Sequence, residues 1–316
     1  MKNKNVLAVT VLAAGVSAVV ACDFCAVYCA CEAQGAGKGF YAGASEQFTH
    51  FGTLQLDGRK VDNEVGQWLD SSVAQTFVGY NFTKRFGVQV NVPFIRREFK
   101  RPEGFAMDRG SESGLGDVSV TANLVLFERK DEAFTLRWSL LGGVKLPTGS
   151  SARLAEELSE VEIPGAPESG IHGHDLALGS GSTDVLVGSG GFARWQRWFV
   201  TANLQYSVRT KGDYDYRFAN DLQWSFAPGV YLVLNERQSL ALQLVASGED
   251  KSTDTFQGAA AADTAMASLY LGPQVTWTWS EKLSAQVGVD VPVVLDNSVL
   301  QAVPDYRVRA AVTWRF

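Results

Sequence analysis

Apolar and polar side chains alternate along the last eleven residues of the chain, 306–316, with the sequence YRVRAAVTWRF. Tyr306, Val308, Val312 and Trp314 fall on one face of this pattern, and arginines occupy much of the other. A period of two residues is typical of a β-strand with one apolar and one polar face. In a soluble protein the apolar face packs in a core, whereas in a membrane barrel it contacts lipid and the polar face lines the lumen.

The same alternation recurs throughout the chain. It predicts strands at 39–53, 68–81, 86–94, 117–127, 134–146, 181–195, 200–209, 221–232, 240–244, 268–279, 283–291 and 306–316. Most of these reach the roughly nine to eleven residues that a strand needs to cross a membrane. The pattern therefore predicts an all-β protein, a transmembrane up-and-down antiparallel barrel of about twelve strands.

The predicted connections alternate in length. Short turns are predicted near residues 81–85, 128–132, 195–198, 235–238 and 280–282, and long loops near 54–66, 100–114, 147–180, 210–219, 249–266 and 294–304. Outer-membrane barrels carry short turns on the periplasmic side and long loops on the extracellular side. An even number of strands places both termini on the short-turn side, which we expect to be periplasmic.

Aromatic residues cluster next to the predicted short turns. The set comprises Tyr80, Phe82, Phe86, Phe127, Phe134, Trp195, Trp198, Trp277, Trp279, Trp314 and Phe316. Amphipathic rings favour the boundary between membrane and water. We therefore expect the apolar face of residues 306–316 to contact outer-membrane lipid. The terminal Phe316 resembles the C-terminal signal that the barrel-assembly machinery recognises.

The N-terminal residues have the features of a secretory signal. Lys2 and Lys4 precede an apolar stretch at 6–20, and small residues lead to Ala21. This pattern favours a signal peptide at 1–21 over a membrane anchor. It places a cysteine-rich periplasmic segment at 22–38 and the barrel at 39–316, in the outer membrane of a Gram-negative bacterium.

All four cysteines lie in the segment after the predicted cleavage site: Cys22, Cys25, Cys29 and Cys31. Acylation of Cys22 as a lipoprotein, disulfide formation in an oxidising compartment, and metal binding all remain open. Haem attachment is disfavoured because Ala26, not histidine, follows the Cys22–Cys25 pair. The segment could also bind a periplasmic partner.

Composition excludes two other classes. The chain has 316 residues, a formal net charge of −6 and a mean hydropathy of −0.03. No long apolar run follows the N-terminus, which argues against a helical membrane protein. The absence of a basic stripe argues against a nucleic-acid partner.

Three motifs together resemble a known family. SGLGDVSVTANLVLF at 113–127, GGVKLPTGS at 142–150 and LGSGSTDVLVG at 178–188 are similar to the outer-membrane family of proposed transporters assigned to the MetA pathway of phenol degradation. The resemblance implies an outer-membrane β-barrel that moves small molecules. The cysteine cluster does not belong to the family pattern.

Charged residues on the polar faces of the predicted strands are candidates to line the pore. They are Asp117, Arg137, Lys145, Arg209, Asp221, Asp290, Arg307, Arg309 and Arg315. Their mixed signs allow pairing across the lumen, which would narrow the pore.

The longest predicted loop contains a segment at 153–162 with helical spacing of Leu154, Leu158 and Val161. Such a helix could form a constriction that disfavours anions, or it could be an ordinary charged surface helix. The acidic residues that would act at a constriction are Glu156, Glu157, Glu160 and Glu162.

Three histidines are candidates for chemistry. His172, His174 and Asp175 have a spacing that could bind a metal in an extended segment, but a solvent-exposed polar loop is favoured, so neither a metal nor a cofactor is expected. A barrel phospholipase would pair a strand histidine such as His50 with a serine. No serine partner for His50 can be identified from the sequence.

The favoured function is passive passage of a small-molecule solute across the outer membrane, without enzymatic activity. One alternative is an outer-membrane anchor for a periplasmic redox or electron-transfer partner that binds the cysteine-rich segment. A barrel enzyme such as a phospholipase is the other alternative.

Overall fold

The computed structural model describes residues 37–158, 163–280 and 282–316. The predicted signal peptide, the four cysteines, Glu160 and Glu162 lie outside these residues. The strands are β1 (Gly39–Leu56), β2 (Arg59–Val61), β3 (Trp68–Asn81), β4 (Phe86–Glu103), β5 (Ala106–Leu115), β6 (Ser119–Lys130), β7 (Phe134–Lys145), β8 (Asp184–Trp195), β9 (Trp198–Val208), β10 (Tyr216–Arg217), β11 (Asp221–Leu234), β12 (Gln238–Lys251), β13 (Asp254–Phe256), β14 (Ala259–Ala261), β15 (Met266–Trp279), β16 (Leu283–Asn297) and β17 (Leu300–Arg315). Among the described residues, no helix is long and apolar enough to cross a membrane.

Twelve of these strands form a closed antiparallel barrel. Neighbours in the wall follow chain order through β1, β3, β4, β6, β7, β8, β9, β11, β12, β15, β16 and β17. The last strand pairs with the first, with Tyr41 opposite Arg315 and Ser45 opposite Ala311. The predicted twelve-stranded up-and-down barrel is confirmed.

The barrel wall is apolar outside and polar inside. In β17, Val308, Val312 and Trp314 are exposed on the outer face, whereas Arg309 and Thr313 are buried inside. A soluble β-protein has the opposite arrangement, with apolar side chains in its core. The outer face is therefore suited to lipid.

One rim, here called the short-turn rim, carries both described chain ends and five connections at 82–85, 131–133, 196–197, 235–237 and 280–282. Aromatic rings lie close together there. Phe40 and Tyr80 have ring centroids 4.6 Å apart, and Trp277 and Trp279 have centroids 5.1 Å apart. This belt matches the cluster of aromatic residues that the sequence predicts at the boundary between membrane and water.

The opposite rim, here called the long-loop rim, differs from prediction in two places. Residues 100–114 were expected to be a loop, but β4 and β5 continue as a hairpin through them and turn at Gly104, where φ is 59°. Residues 294–304 also belong mostly to strands, which are joined by Ser298 and Val299. In the hairpin segment at 98–113 the large apolar residues are Phe99, Phe105 and Met107, which are too widely spaced among polar residues to give an alternating pattern.

Candidate functional site: a barrel lumen closed by a plug

The longest loop folds into the mouth of the barrel. We call its described residues, 147–158 and 163–180, the plug. Ile171 and Leu176 pack against the inward-facing side chains of Phe51, Leu69 and Phe99. The apolar side chains of the plug therefore gain a core inside the barrel wall, which holds the loop in the lumen.

Apolar contacts also hold the middle and the end of the plug. Leu178 packs against Val73 and Ile95 on the inner wall. Leu154 and Ala177 form a second cluster with Tyr216, which belongs to the loop that follows β9. The plug thus contacts both the wall and a neighbouring loop.

Polar groups anchor the plug to one stretch of the barrel wall. Arg97 in β4 donates to the backbone carbonyl of Asp175. The backbone amide of Gly170 donates to Oε1 of Gln67 over 2.8 Å, and the amide of Ala302 in β17 donates to the Gly170 carbonyl over 2.7 Å. These contacts hold the plug against adjoining strands, because only β1 and β3 separate β17 from β4 in the wall.

The helical prediction for the plug was partly wrong. A 3-10 helix spans Ala152–Leu158. Leu154 is fully buried while Leu158 is 53% exposed, so the two do not share an apolar face. A 3-10 helix turns every three residues, and side chains four apart diverge.

The acidic side chains of this helix are paired. Glu156 accepts hydrogen bonds from Arg101 and Arg153. Burial alone would raise the pKa of Glu156, but the hydrogen bonds and charges of the two arginines outweigh it and lower this pKa. Glu156 is therefore held as a carboxylate within an ion-pair network.

His174 is buried in the plug, so the expectation of a solvent-exposed loop at this position was wrong. Oε1 of Glu157 accepts a hydrogen bond of 2.8 Å from the His174 backbone amide and lies 3.0 Å from its Nδ1. Despite burial, which opposes both charges, Asp175 and Glu157 raise the pKa of His174 to about 10, and His174 lowers the pKa of Glu157 to about 2.

The predicted metal-ligand set is only partly assembled. The rings of His172 and His174 stack with centroids 5.6 Å apart. The carboxylate of Asp175 accepts a hydrogen bond from the backbone amide of His172, so it is engaged within the plug. The carboxylate that converges with Glu157 and His174 is Asp263, from the loop between β12 and β15. Asp263 lies far from Glu157 and His174 along the chain, so no sequence motif linked these residues.

A buried ion-pair network lies beneath the plug, inside the wall. Nζ of Lys145 is 2.7 Å from Asp117 and 2.8 Å from Asp184. Arg209 lies 3.1 Å from Asp184 and 2.9 Å from Asp221. Opposite charges therefore pair across neighbouring strands. Asp184, the acidic residue between the two cations, was not among the residues predicted to line the pore.

Four more of the predicted pore-lining charges belong to β16 and β17. Asp290 and Arg309 form a two-point contact with distances of 2.8 and 2.9 Å. The guanidinium of Arg307 lies over the ring of the buried Tyr270, 3.2 Å from its centroid. Arg315 is at the end of β17 near the short-turn rim.

A cavity of about 300 Å³ occupies the half of the barrel nearer the short-turn rim. Aromatic rings, amides, hydroxyls and small residues line it, together with Arg137, one of the charged residues predicted to line the pore. The lining residues are Arg137, Ser139, Gly190, Gly191, Phe192, Phe199, Thr201, Asn203, Tyr231, Ser239, Ala241, Gln243, Thr276 and Thr278. A mixed polar and aromatic wall suits a small organic molecule.

His50, the candidate for a phospholipase, lies on the outer face of β1 beside carboxylates. Its Nδ1 is 2.5 Å from Asp70, and its Nε2 is 3.9 Å from Asp305. A serine–histidine pair needs the base within hydrogen-bond reach of the nucleophile. The ring nitrogens of His50 instead face two acids.

Comparison with known proteins agrees with this architecture. Residues 172–294 match the family described as "Putative MetA-pathway of phenol degradation". This match includes the motif at 178–188 and confirms the predicted resemblance over that part of the chain. No curated protein sequence matches the chain.

Solved structures share the fold. An outer membrane channel from Pseudomonas putida F1 is similar with a TM-score of 0.63 and 16% identity, over 89% of this chain and 96% of that one. The β domain of the Bordetella autotransporter BrkA has a TM-score of 0.48 and 10% identity, over 87% of this chain and 99% of that one. The first of these likenesses confirms the barrel fold.

Proposed function

We propose that this chain, which resembles the phenol-degradation family over residues 172–294 and has the fold of an outer membrane channel, allows small molecules to pass across the outer membrane. The observation that carries the proposal is the cavity of about 300 Å³ inside a closed barrel whose outer face is apolar. In the proposed orientation of the barrel in the membrane, the long-loop rim is extracellular and the short-turn rim is periplasmic.

The plug controls entry to the cavity in this proposal. It fills the mouth with side chains from Leu154, Ile171 and Leu176, so a solute entering from the long-loop rim has to pass it. Loops folded into a barrel restrict the size of the permeating solute. The charged residues beneath the plug then act mainly by pairing, which narrows the route instead of lining a wide aqueous channel.

Passage is tested with purified protein in planar bilayers and in liposomes loaded with small solutes. We expect a low conductance from the wild-type chain and a larger one when residues 152–177 are replaced by a short Gly-Ser linker. Electrophoresis of unboiled and boiled samples shows, by a difference in mobility, whether the shortened barrel is folded. If both folded proteins give neither conductance nor solute flux, the channel proposal is wrong.

A further inference from the structure

Potential metal ligands converge at the mouth of the barrel. Glu157 and His174 belong to the plug, while Asp263 lies in the 3-10 helix Ala262–Thr264 of the loop between β12 and β15. One donor atom from each of these three residues lies within 4.8 Å of the other two. Residues far apart in the chain, from separate loops, therefore present their donor atoms to a single point.

A further donor lies beside this point. Nε2 of His172 is 3.6 Å from Oδ2 of Asp263. His174 is 5% exposed, so its ring is shielded from bulk water. The plug fixes the ring from one side, since Glu157 contacts both its backbone amide and Nδ1.

The local charge favours a cation. Asp175 adds a third carboxylate, with Oδ1 located 3.5 Å from Nε2 of His174. Three carboxylates therefore face the two imidazole rings. A divalent cation that displaces the proton of the His174 ring adds one further positive charge beside them, and buried charges need such compensation.

We propose that Glu157, His174 and Asp263 bind a divalent transition-metal ion of the Zn²⁺ class. A site that combines imidazole nitrogen with carboxylate oxygen suits Zn²⁺ and its neighbours, whereas Mg²⁺ and Ca²⁺ take oxygen ligands. His172 is positioned to supply a fourth donor. Tetrahedral bonds of about 2.1 Å need donor atoms about 3.4 Å apart, and the donor atoms of the three residues already lie within 4.8 Å of one another.

The ion would join the plug to a second loop and hold the mouth closed. Glu157 and His174 move with the plug, and Asp263 moves with the loop between β12 and β15, so a bound metal resists withdrawal of the plug. This inference goes beyond the proposed passage of solutes, because metal binding can be measured without transport.

Binding is tested on the untagged full-length protein in detergent. The four cysteines are alkylated with iodoacetamide beforehand, since they are independent metal-binding candidates. Titration with Zn²⁺ is expected to give about one ion per chain, and Co²⁺ to give visible bands without a thiolate charge-transfer band. Asp263→Asn and His174→Gln are expected to weaken binding about 10-fold or more.

His50→Gln is the matched control, because this histidine lies on the outer face beside Asp70 and Asp305. It should leave the affinity unchanged. Unboiled gel mobility confirms that each variant forms the barrel, and Asp263→Asn preserves side-chain volume. Absence of binding to the wild type, or equal binding by wild type, Asp263→Asn and His174→Gln, overturns the inference.

A second measurement separates this inference from the proposed function. Zn²⁺ added on the long-loop side should lower the conductance of the wild type and not of Asp263→Asn. Metal binding by a barrel that never conducts would refute only the channel proposal. Conductance by a barrel that binds no metal would refute only the metal site.

Discussion

Arg101 in β4 donates a hydrogen bond of 2.6 Å from its guanidinium to Oε2 of Glu156 in the plug. The same guanidinium reaches the carbonyl of Ile171 at 3.4 Å and Asp108 in β5 at 3.4 Å. Arg101 is thus a buried link between the wall of the barrel and both described parts of the plug. Loss of Glu156 would leave the largely buried guanidinium of Arg101 with fewer partners, whereas the side chain of Glu156 is 34% exposed and stays partly solvated.

Arg101→Ala should loosen the plug without breaking the barrel. Glu156 would retain Arg153 but lose its contact with the wall. We expect a larger and noisier conductance in planar bilayers than the wild type gives. Arg96→Ala is the control, since Arg96 pairs with Glu98 on the outer face of the same strand. Equal conductance for Arg101→Ala and the wild type would show that this contact does not restrain the plug.

The ion-pair network beneath the plug should be a major source of stability. Asp184 is fully buried between Lys145 and Arg209, so Asp184→Asn removes the carboxylate that bridges the two cations, while Lys145 keeps Asp117 and Arg209 keeps Asp221. Because neither cation is left uncompensated, we expect a loss of about 1.5–3 kcal/mol, the range of hydrogen bonds to charged groups. Urea unfolding in lipid vesicles, followed by tryptophan fluorescence, measures the loss.

The exposed pair of Lys211 and Asp215 provides the comparison for Asp184. Asp215→Asn should change the free energy of unfolding by about 0–1 kcal/mol, because solvent screens the pair. Similar losses for Asp184→Asn and Asp215→Asn would mean that the buried network does not stabilise the barrel.

The outer and inner faces of β16 should respond differently to a charge. Val287 is 56% exposed on the outer face, while the neighbouring Gln286 faces the lumen, where Gln274 approaches it at 3.4 Å. Val287→Arg places a guanidinium against lipid, which costs about 2–4 kcal/mol at the membrane midplane. We expect poor assembly or reduced stability in vesicles for Val287→Arg and near-normal behaviour for Gln286→Arg. The reverse order would contradict the orientation of the wall.

The strands of the wall could be predicted because the alternation of apolar and polar residues is a local property of the sequence. Alternation in segments such as 306–316 fixes which side chains share a face, and Val308 and Arg309 lie on the predicted sides. Tight turns could also be recognised, since charged residues interrupt the apolar pattern. The prediction of loop lengths failed at the long-loop rim, where the outer part of the β4–β5 hairpin has too few apolar residues to show an alternating pattern.

The sequence left open whether the longest loop forms a constriction or a surface helix, because the position of the plug depends on contacts between distant segments. The sequence around His172 and His174 is rich in glycine and polar residues, which is typical of an exposed loop. Its burial depends on Ile171 and Leu176 meeting Phe99 across more than 70 residues of sequence. Asp263 joins His174 through a loop with no apparent motif, so only the fold brings the two together.

Two cross-strand pairs place an aromatic ring over a glycine on the inner wall. Tyr41 lies opposite Gly79, and Phe77 lies opposite Gly43. A Cβ added to Gly79 would lie 2.1 Å from Cζ of Tyr41, and one added to Gly43 would lie 2.4 Å from Cζ of Phe77. Both rings are buried, so they cannot move into open solvent.

Gly79→Ala should therefore destabilise the barrel by about 1–3 kcal/mol through overpacking. Truncation of the opposing ring in Gly79→Ala/Tyr41→Ala should remove the clash, so the two substitutions together should cost less than the sum of their separate effects. Gly142→Ala is the matched control, because a Cβ there meets nothing within 4 Å. Urea unfolding of the four variants in vesicles measures the coupling. If the losses in the free energy of unfolding are additive, the ring of Tyr41 does not pack against Gly79.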